Sequence, residues 1–182
     1  QFDAAGTRLG PIVDRRRFRT LVFTNSELVS DRDLGGLRTD ILGIDASSEL
    51  PLAAAFAYGR GGIIHPRFGH ELTHLNTAGT RDLRIHPSGT AVFALDSRGV
   101  SRWSLSETAP AQYEVGERWT WLGGPHWSHM AFNRDGSHLA IANQSDGQVA
   151  LFETDRTNRV ATIAQHPGCD QISLSPDAAW LA

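Results

Sequence analysis

Apolar and polar positions alternate along this chain in short runs, separated by turns rich in Gly, Asp, Ser and Pro. One such turn recurs five times. Its copies are Phe2-Asp3-Ala4-Ala5-Gly6-Thr7-Arg8-Leu9, Ile44-Asp45-Ala46-Ser47-Ser48, Ile85-His86-Pro87-Ser88-Gly89-Thr90-Ala91-Val92, Phe132-Asn133-Arg134-Asp135-Gly136-Ser137-His138-Leu139 and Leu174-Ser175-Pro176-Asp177-Ala178-Ala179-Trp180-Leu181. Each opens on an apolar residue, crosses small or polar residues and meets a second apolar residue seven places on, where the second copy has Pro51. Successive copies start 42, 41, 47 and 42 residues apart. Two-residue alternation with turns of this composition predicts antiparallel hairpins. No stretch of about 12 residues keeps a 3.6-residue apolar period, so no long helix is expected.

The third and fourth copies show the unit best. Leu83 and Ile85 alternate into the turn, Thr90 to Leu95 leaves it, and a second turn at Asp96-Ser97-Arg98-Gly99 leads into Val100 to Trp103. The next copy has Met130 and Phe132, then Leu139 to Ala142, the turn Ser145-Asp146-Gly147, and Val149 to Phe152. Tyr113-Glu114-Val115 and Val160 to Ile163 supply a further, more polar strand. Four strands per repeat of this length is the plan of a propeller blade. The expected fold is therefore all-β, an incomplete array of about four to five four-stranded blades. The expected repeats are 1–38, 39–79, 80–126, 127–168 and a partial 169–182. Gln1-Phe2 falls inside a first strand and Trp180-Leu181-Ala182 inside a second, so truncation at both ends is expected.

On these residues the chain resembles the WD40-repeat family over nearly its whole length. The carriers are Ser175-Pro176-Asp177, His86-Pro87-Ser88-Gly89, Arg134-Asp135-Gly136, the strand-closing Trp103 and Phe152, and His166 eight residues before Leu174. The Trp-Asp dipeptide that names the family is absent, since Ser104 follows Trp103 and Glu153 follows Phe152. Gly-His occurs only at Gly69-His70, too far before Ile85 for the family spacing. The array is thus a degenerate one. The stretches HPSGTAVFALDSRGVSRWSL and HPGCDQISLSPDAAWLA also resemble propellers attached downstream of bacterial serine/threonine kinase domains. The resemblance implies a protein-binding or regulatory scaffold within a larger bacterial protein, with a protein partner and no cofactor.

Composition narrows the chemistry. At 182 residues the chain suits one domain. A net charge of −3, with one basic cluster at Arg15-Arg16-Arg17 and Arg19, argues against nucleic acid as a partner. No apolar run approaches the roughly 20 residues of a membrane-spanning helix, so no membrane insertion by this segment is expected. Cys169 is the single cysteine, which excludes an internal disulfide and fits a reducing, cytoplasmic setting. All 17 basic residues are Arg. Without Lys this segment cannot carry a phosphate-loop lysine, a kinase catalytic lysine or Schiff-base chemistry.

Several side-chain groups invite a functional reading. His70-Glu71-Leu72-Thr73-His74 matches H-E-x-x-H, the zinc-peptidase pattern, but that chemistry needs both His on one helical face. Here Gly59, Gly61, Gly62, Pro66 and Gly69 precede the pattern, and the repeat makes it an outer strand. On a regular strand His70, Leu72 and His74 share one face while Glu71 and Thr73 take the other. Two His so placed lie about 13 Å apart, so a site from His65, His70 and His74 needs a bend, and no metal is expected. Asp14, Asp96 and Asp146 sit in second turns, where Asp accepts backbone N–H bonds. In the family that the chain resembles, such an Asp braces its blade, so these and His166 are expected to be structural. Trp119, Trp121, His126, Trp127 and His129 crowd the longest repeat, which is expected to present them on a partner-binding loop. No catalytic residue stands out, and the first expectation is a non-catalytic binding module. The alternative is a propeller-type enzyme, a hydrolase or lyase with a metal or acid/base site near the central channel.

Overall fold

The computed structural model describes residues 7–13, 17–24, 27–35, 42–47, 50, 52–57, 60–65, 70–77, 79–109, 112–157, 159–163 and 171–182. Asp14 and His166 lie outside them. The described residues form strands and turns only. The first sheet joins β1 (Thr7–Val13), β2 (Arg17–Thr24) and β3 (Glu27–Gly35) in that order. The second joins β4 (Gly43–Ala46), β5 (Ala53–Ala57), β6 (Arg60–His65) and β7 (His70–Leu75). The third runs β8 (Asp82–Ile85), β9 (Ala91–Asp96), β10 (Gly99–Ala109) and β11 (Gln112–Val115), with β12 (Trp119–Gly123) also on β10. The fourth joins β13 (Trp127–Phe132), β14 (His138–Asn143), β15 (Val149–Glu153) and β16 (Arg159–Ile163). A bridge between Leu174 and Leu181 forms one more antiparallel contact. No helix among the described residues is long and apolar enough to cross a membrane.

All pairings within the sheets are antiparallel, and the second, third and fourth sheets stack face to face. β4 and β5 pack on β8, and β8 and β9 pack on β13. This stacking explains why β5, β9 and the middle of β14 are apolar at successive positions. In β9, Val92 and Ala94 face the second sheet with Leu83, Ile85 and Trp103, where they meet Leu52, Ala54, Phe56, Ile63 and Leu75. Ala91, Phe93 and Leu95 face the other way, onto Met130, Leu139, Ile141 and Phe152 of the fourth sheet. In β14 the same alternation sends Leu139 and Ile141 toward the third sheet, and Ala140 and Ala142 toward Ile172. A strand buried on both faces has no solvent side to make polar. Each large side chain in these layers contributes roughly 1.5–3 kcal/mol of burial.

Two features depart from the regular plan. The third sheet has a divided outer layer, since β10 is 11 residues long. β11 pairs with its far half, Leu105 to Ala109, and β12 with its near half, Gly99 to Arg102. The extra residues of the longest repeat therefore build strand rather than a loop, because each half of β10 offers its own row of N–H and C=O groups to fill. In the second sheet, β7 pairs Ile63 with Thr73 but Ile64 with Glu71, which leaves Leu72 as a bulge. This corrects the regular alternation expected of that strand. Positions 71 and 74 fall on the same face, and positions 70 and 74 on opposite ones.

Candidate functional site

The first strands of the sheets are inner neighbours, and they are joined by side chains rather than by a backbone ladder. Asp45 on β4 accepts the Ile85 N–H of β8 at 2.9 Å. Asp82 at the start of β8 accepts the Met130 N–H of β13, also at 2.9 Å. Each carboxylate thus satisfies a buried donor one sheet further on. Arg84 lies between them, its Nε 3.1 Å from Asp82 and its Nη1 3.6 Å from Asp45. Burial works against the charge of Arg84, but Asp82 and Asp45 outweigh it and raise its pKa above the ordinary value. A cavity of about 450 Å³ opens beside this triad, between Asp45, Arg84, Met130, Asn133 and Leu174. A second, of about 610 Å³, is lined by Asp82, Arg81, His129, Gln144 and Gln171.

A second network crosses the seam between the third and fourth sheets. The Ser88 N–H donates to His86 Nδ1 at 3.2 Å, which leaves the ring proton on Nε2, donated to the Gly136 carbonyl at 3.0 Å. The same carbonyl accepts the Thr154 hydroxyl at 2.6 Å, and the Thr154 carbonyl accepts Trp121 Nε1–H at 3.1 Å. His86 also packs edge-on to Phe132 and stacks on Phe93. Burial pushes its pKa below the ordinary imidazole value; the Gly136 carbonyl opposes this and Arg102 adds to it.

The residues singled out in the sequence are dispersed. Asp96 is buried, accepts the Arg98 N–H and binds Arg118, which also donates to Ser101 and lies over Trp103. Asp146 is exposed and accepts the Gln148 N–H within its turn. The Trp-rich segment is no single loop. Trp119 and Trp121 belong to β12, and Trp127 and His129 to β13, so only Gly124, Pro125 and His126 connect them. Trp121 is only 4% exposed and packs edge-on against Phe93 and Phe152, which makes it core rather than an anchor. Trp127 is half-buried, His129 lines the larger cavity, and exposed His126 turns the chain at φ 74°. Trp119 is 46% exposed. In β7, Glu71 binds Arg60 at 2.7 Å and lies 3.8 Å from His74 Nδ1, as the bulge requires. His70–Leu75 is a strand and not the helix that H-E-x-x-H chemistry needs.

The inner triad carried no signal in the repeat. Asp45 follows its marker Ile44, whereas Asp82 precedes Ile85 by three residues, so the two do not align. The third sheet's Arg102 was equally silent. It shows only once β9, β10 and β12 are side by side.

Two known structures are similar to the chain. The Myceliophteria thermophila Cps50 (Swd1) beta-propeller domain matches at 17% identity with a TM-score of 0.64, over 93% of this chain. The fold is a β-propeller. Kuenenia stuttgartiensis hydrazine synthase matches this propeller with the same TM-score of 0.64, at 15% identity over 91% of the chain. The propeller chain spans 62% and 61% of the lengths of these two structures. No family model matches it, and no curated protein does either.

Proposed function

We propose that this propeller segment is a non-catalytic scaffold that presents rigid, WD40-like blades to a protein partner. The observation that carries the reading is the engagement of the inner carboxylates. Asp45 and Asp82 are where a propeller enzyme would place acid/base groups, yet both accept a backbone N–H of the next sheet and both bind Arg84. A carboxylate spent on such bonds braces the blades; it does not take up a substrate proton. The segment is further read as part of a larger bacterial protein such as a serine/threonine kinase, in the cytoplasm, which rests on the resemblance of its repeat phrases. The full gene sequence tests that part: a kinase domain upstream supports it, and a lone propeller behind a signal peptide opposes it.

The scaffold reading is tested by cross-linking the protein in its source cells, identifying captured proteins by mass spectrometry, and reconstituting each purified candidate with the chain. A stoichiometric complex that forms equally well with Asp82→Asn supports the reading. A substrate turned over by the chain, with turnover lost in a folded Asp82→Asn or Asp45→Asn variant, would replace it with the enzyme reading.

A further inference from the structure

We propose that Arg102 and Trp119 form a recognition point for an acidic side chain of a protein partner, the carboxylate on the guanidinium and a neighbouring apolar group on the indole. This rests on the scaffold reading and gives it a surface and a partner chemistry. Arg102 sits on the middle strand β10, directly opposite Phe93 on β9 and Trp119 on β12. Residues paired in register share a face, so the three side chains stand in a row across the sheet. The guanidinium carbon lies 5.5 Å from each ring centre. Phe93 is the fully buried end of this row, while Trp119, at the other end, is among the few large apolar side chains left exposed.

What distinguishes Arg102 is a guanidinium held against two rings with no carboxylate on it. Arg60, Arg84 and Arg118 each bind a carboxylate, and Arg81 donates to the Trp127 carbonyl. Among the described residues, none lies within ion-pair or hydrogen-bond distance of the Arg102 guanidinium. Stacking on aromatic faces fixes the plane of a guanidinium and leaves its in-plane donors free, which lowers the entropy lost when a carboxylate docks on the fork. Arg and Trp are also among the residue types most enriched where binding energy concentrates. A single fork matches one carboxylate. A phosphate dianion calls for a second cation, and Arg118 is held by Asp96 on the opposite face of β10, with Ser101 and Trp103.

The test selects dodecapeptides from a random display library on the immobilised whole chain, then measures each selected peptide by fluorescence anisotropy against the chain and its variants. The selected peptides are expected to carry Asp or Glu beside an apolar residue. Their affinity should fall about tenfold or more in Arg102→Gln and in Arg102→Lys, which keeps the charge but loses the planar fork, and also in Trp119→Ala. Arg98→Gln, an exposed cation off this row, should stay within about twofold. Exchanging the peptide's acidic residue for its amide should weaken binding to the wild type and leave binding to Arg102→Gln unchanged. Thermal unfolding of each variant identifies those that are folded, and Trp119→Ala decides if Arg102→Gln is not. Selected peptides that lack acidic residues, or bind folded Arg102→Gln and Trp119→Ala as tightly as the wild type, overturn this site and leave the scaffold reading standing. Failure to select any peptide counts against both.

Discussion

Replacing Asp82 with Ala tests how the blades are joined. The side chain is buried, and one carboxylate serves two backbone donors, Met130 N–H across the seam and Leu83 N–H beside it, as well as Arg84. Asp82 is the acceptor of the buried Met130 N–H, and leaving such a group unpaired costs about 1–3 kcal/mol. Arg84 keeps Asp45 and is about a third exposed, so the lost ion pair adds only about 1 kcal/mol after screening. The expected destabilisation is about 2–4 kcal/mol, which for a domain of this size lowers the melting midpoint by roughly 5–15 °C. Asp82→Asn keeps an acceptor oxygen and should lose about half as much. Asp146→Ala, at an exposed turn with one backbone bond, should lose no more than about 1 kcal/mol. Urea unfolding followed by Trp fluorescence, with calorimetry alongside, measures all three. An Asp82→Ala variant as stable as Asp146→Ala would show the inner carboxylates to be dispensable.

Further outcomes follow from the seam between the third and fourth sheets. Burial holds His86 below its ordinary pKa, so the folded state takes up a proton less readily than the unfolded one. The stability from neutral His86 is complete above the unfolded value of about 6.5 and is lost as pH falls through the lower folded value, so urea midpoints between about pH 7.5 and 5 should drop less in His86→Asn than in the wild type. Trp121→Ala should cost about 3–5 kcal/mol, whereas Trp119→Ala should cost less than about 1 kcal/mol, as read by the same unfolding curves. Gly136 has φ +77°, and an added Cβ would overlap the His86 ring; Gly79 has φ +70° with open space around it. Gly79→Ala should therefore cost about 1–2 kcal/mol for the left-handed backbone alone, and Gly136→Ala clearly more.

The propeller was legible because the backbone plan is repeated. The best copies have a turn residue at the same offset and an apolar second strand buried on both faces, as in β9 and β14, so composition and spacing carry the information together. The side-chain chemistry is not repeated, and there the sequence was a poorer guide. Trp119 and Trp121 stand two residues apart and looked like one surface, yet a register shift in β12 sends Trp121 into the core and leaves Trp119 outside. The bulge at Leu72 has the same effect on Glu71 and His74, because one extra residue reverses a two-residue period. Asp45, Asp82 and Arg102 act on residues 40, 48 and 17 positions away, respectively. No local pattern encodes such partners.

The residues that hold the blades together are distinct from those proposed to meet a partner, and one paired measurement addresses that separation. Thermal midpoint and affinity for a selected acidic peptide are measured together on wild type, Asp82→Asn and Arg102→Gln, at a temperature where all three are folded. The expected result is a lowered midpoint with unchanged affinity for Asp82→Asn, and weakened affinity with a nearly unchanged midpoint for Arg102→Gln. Loss of peptide binding in folded Asp82→Asn, with Arg102→Gln binding normally, would contradict the account and move the functional site to the inner carboxylates.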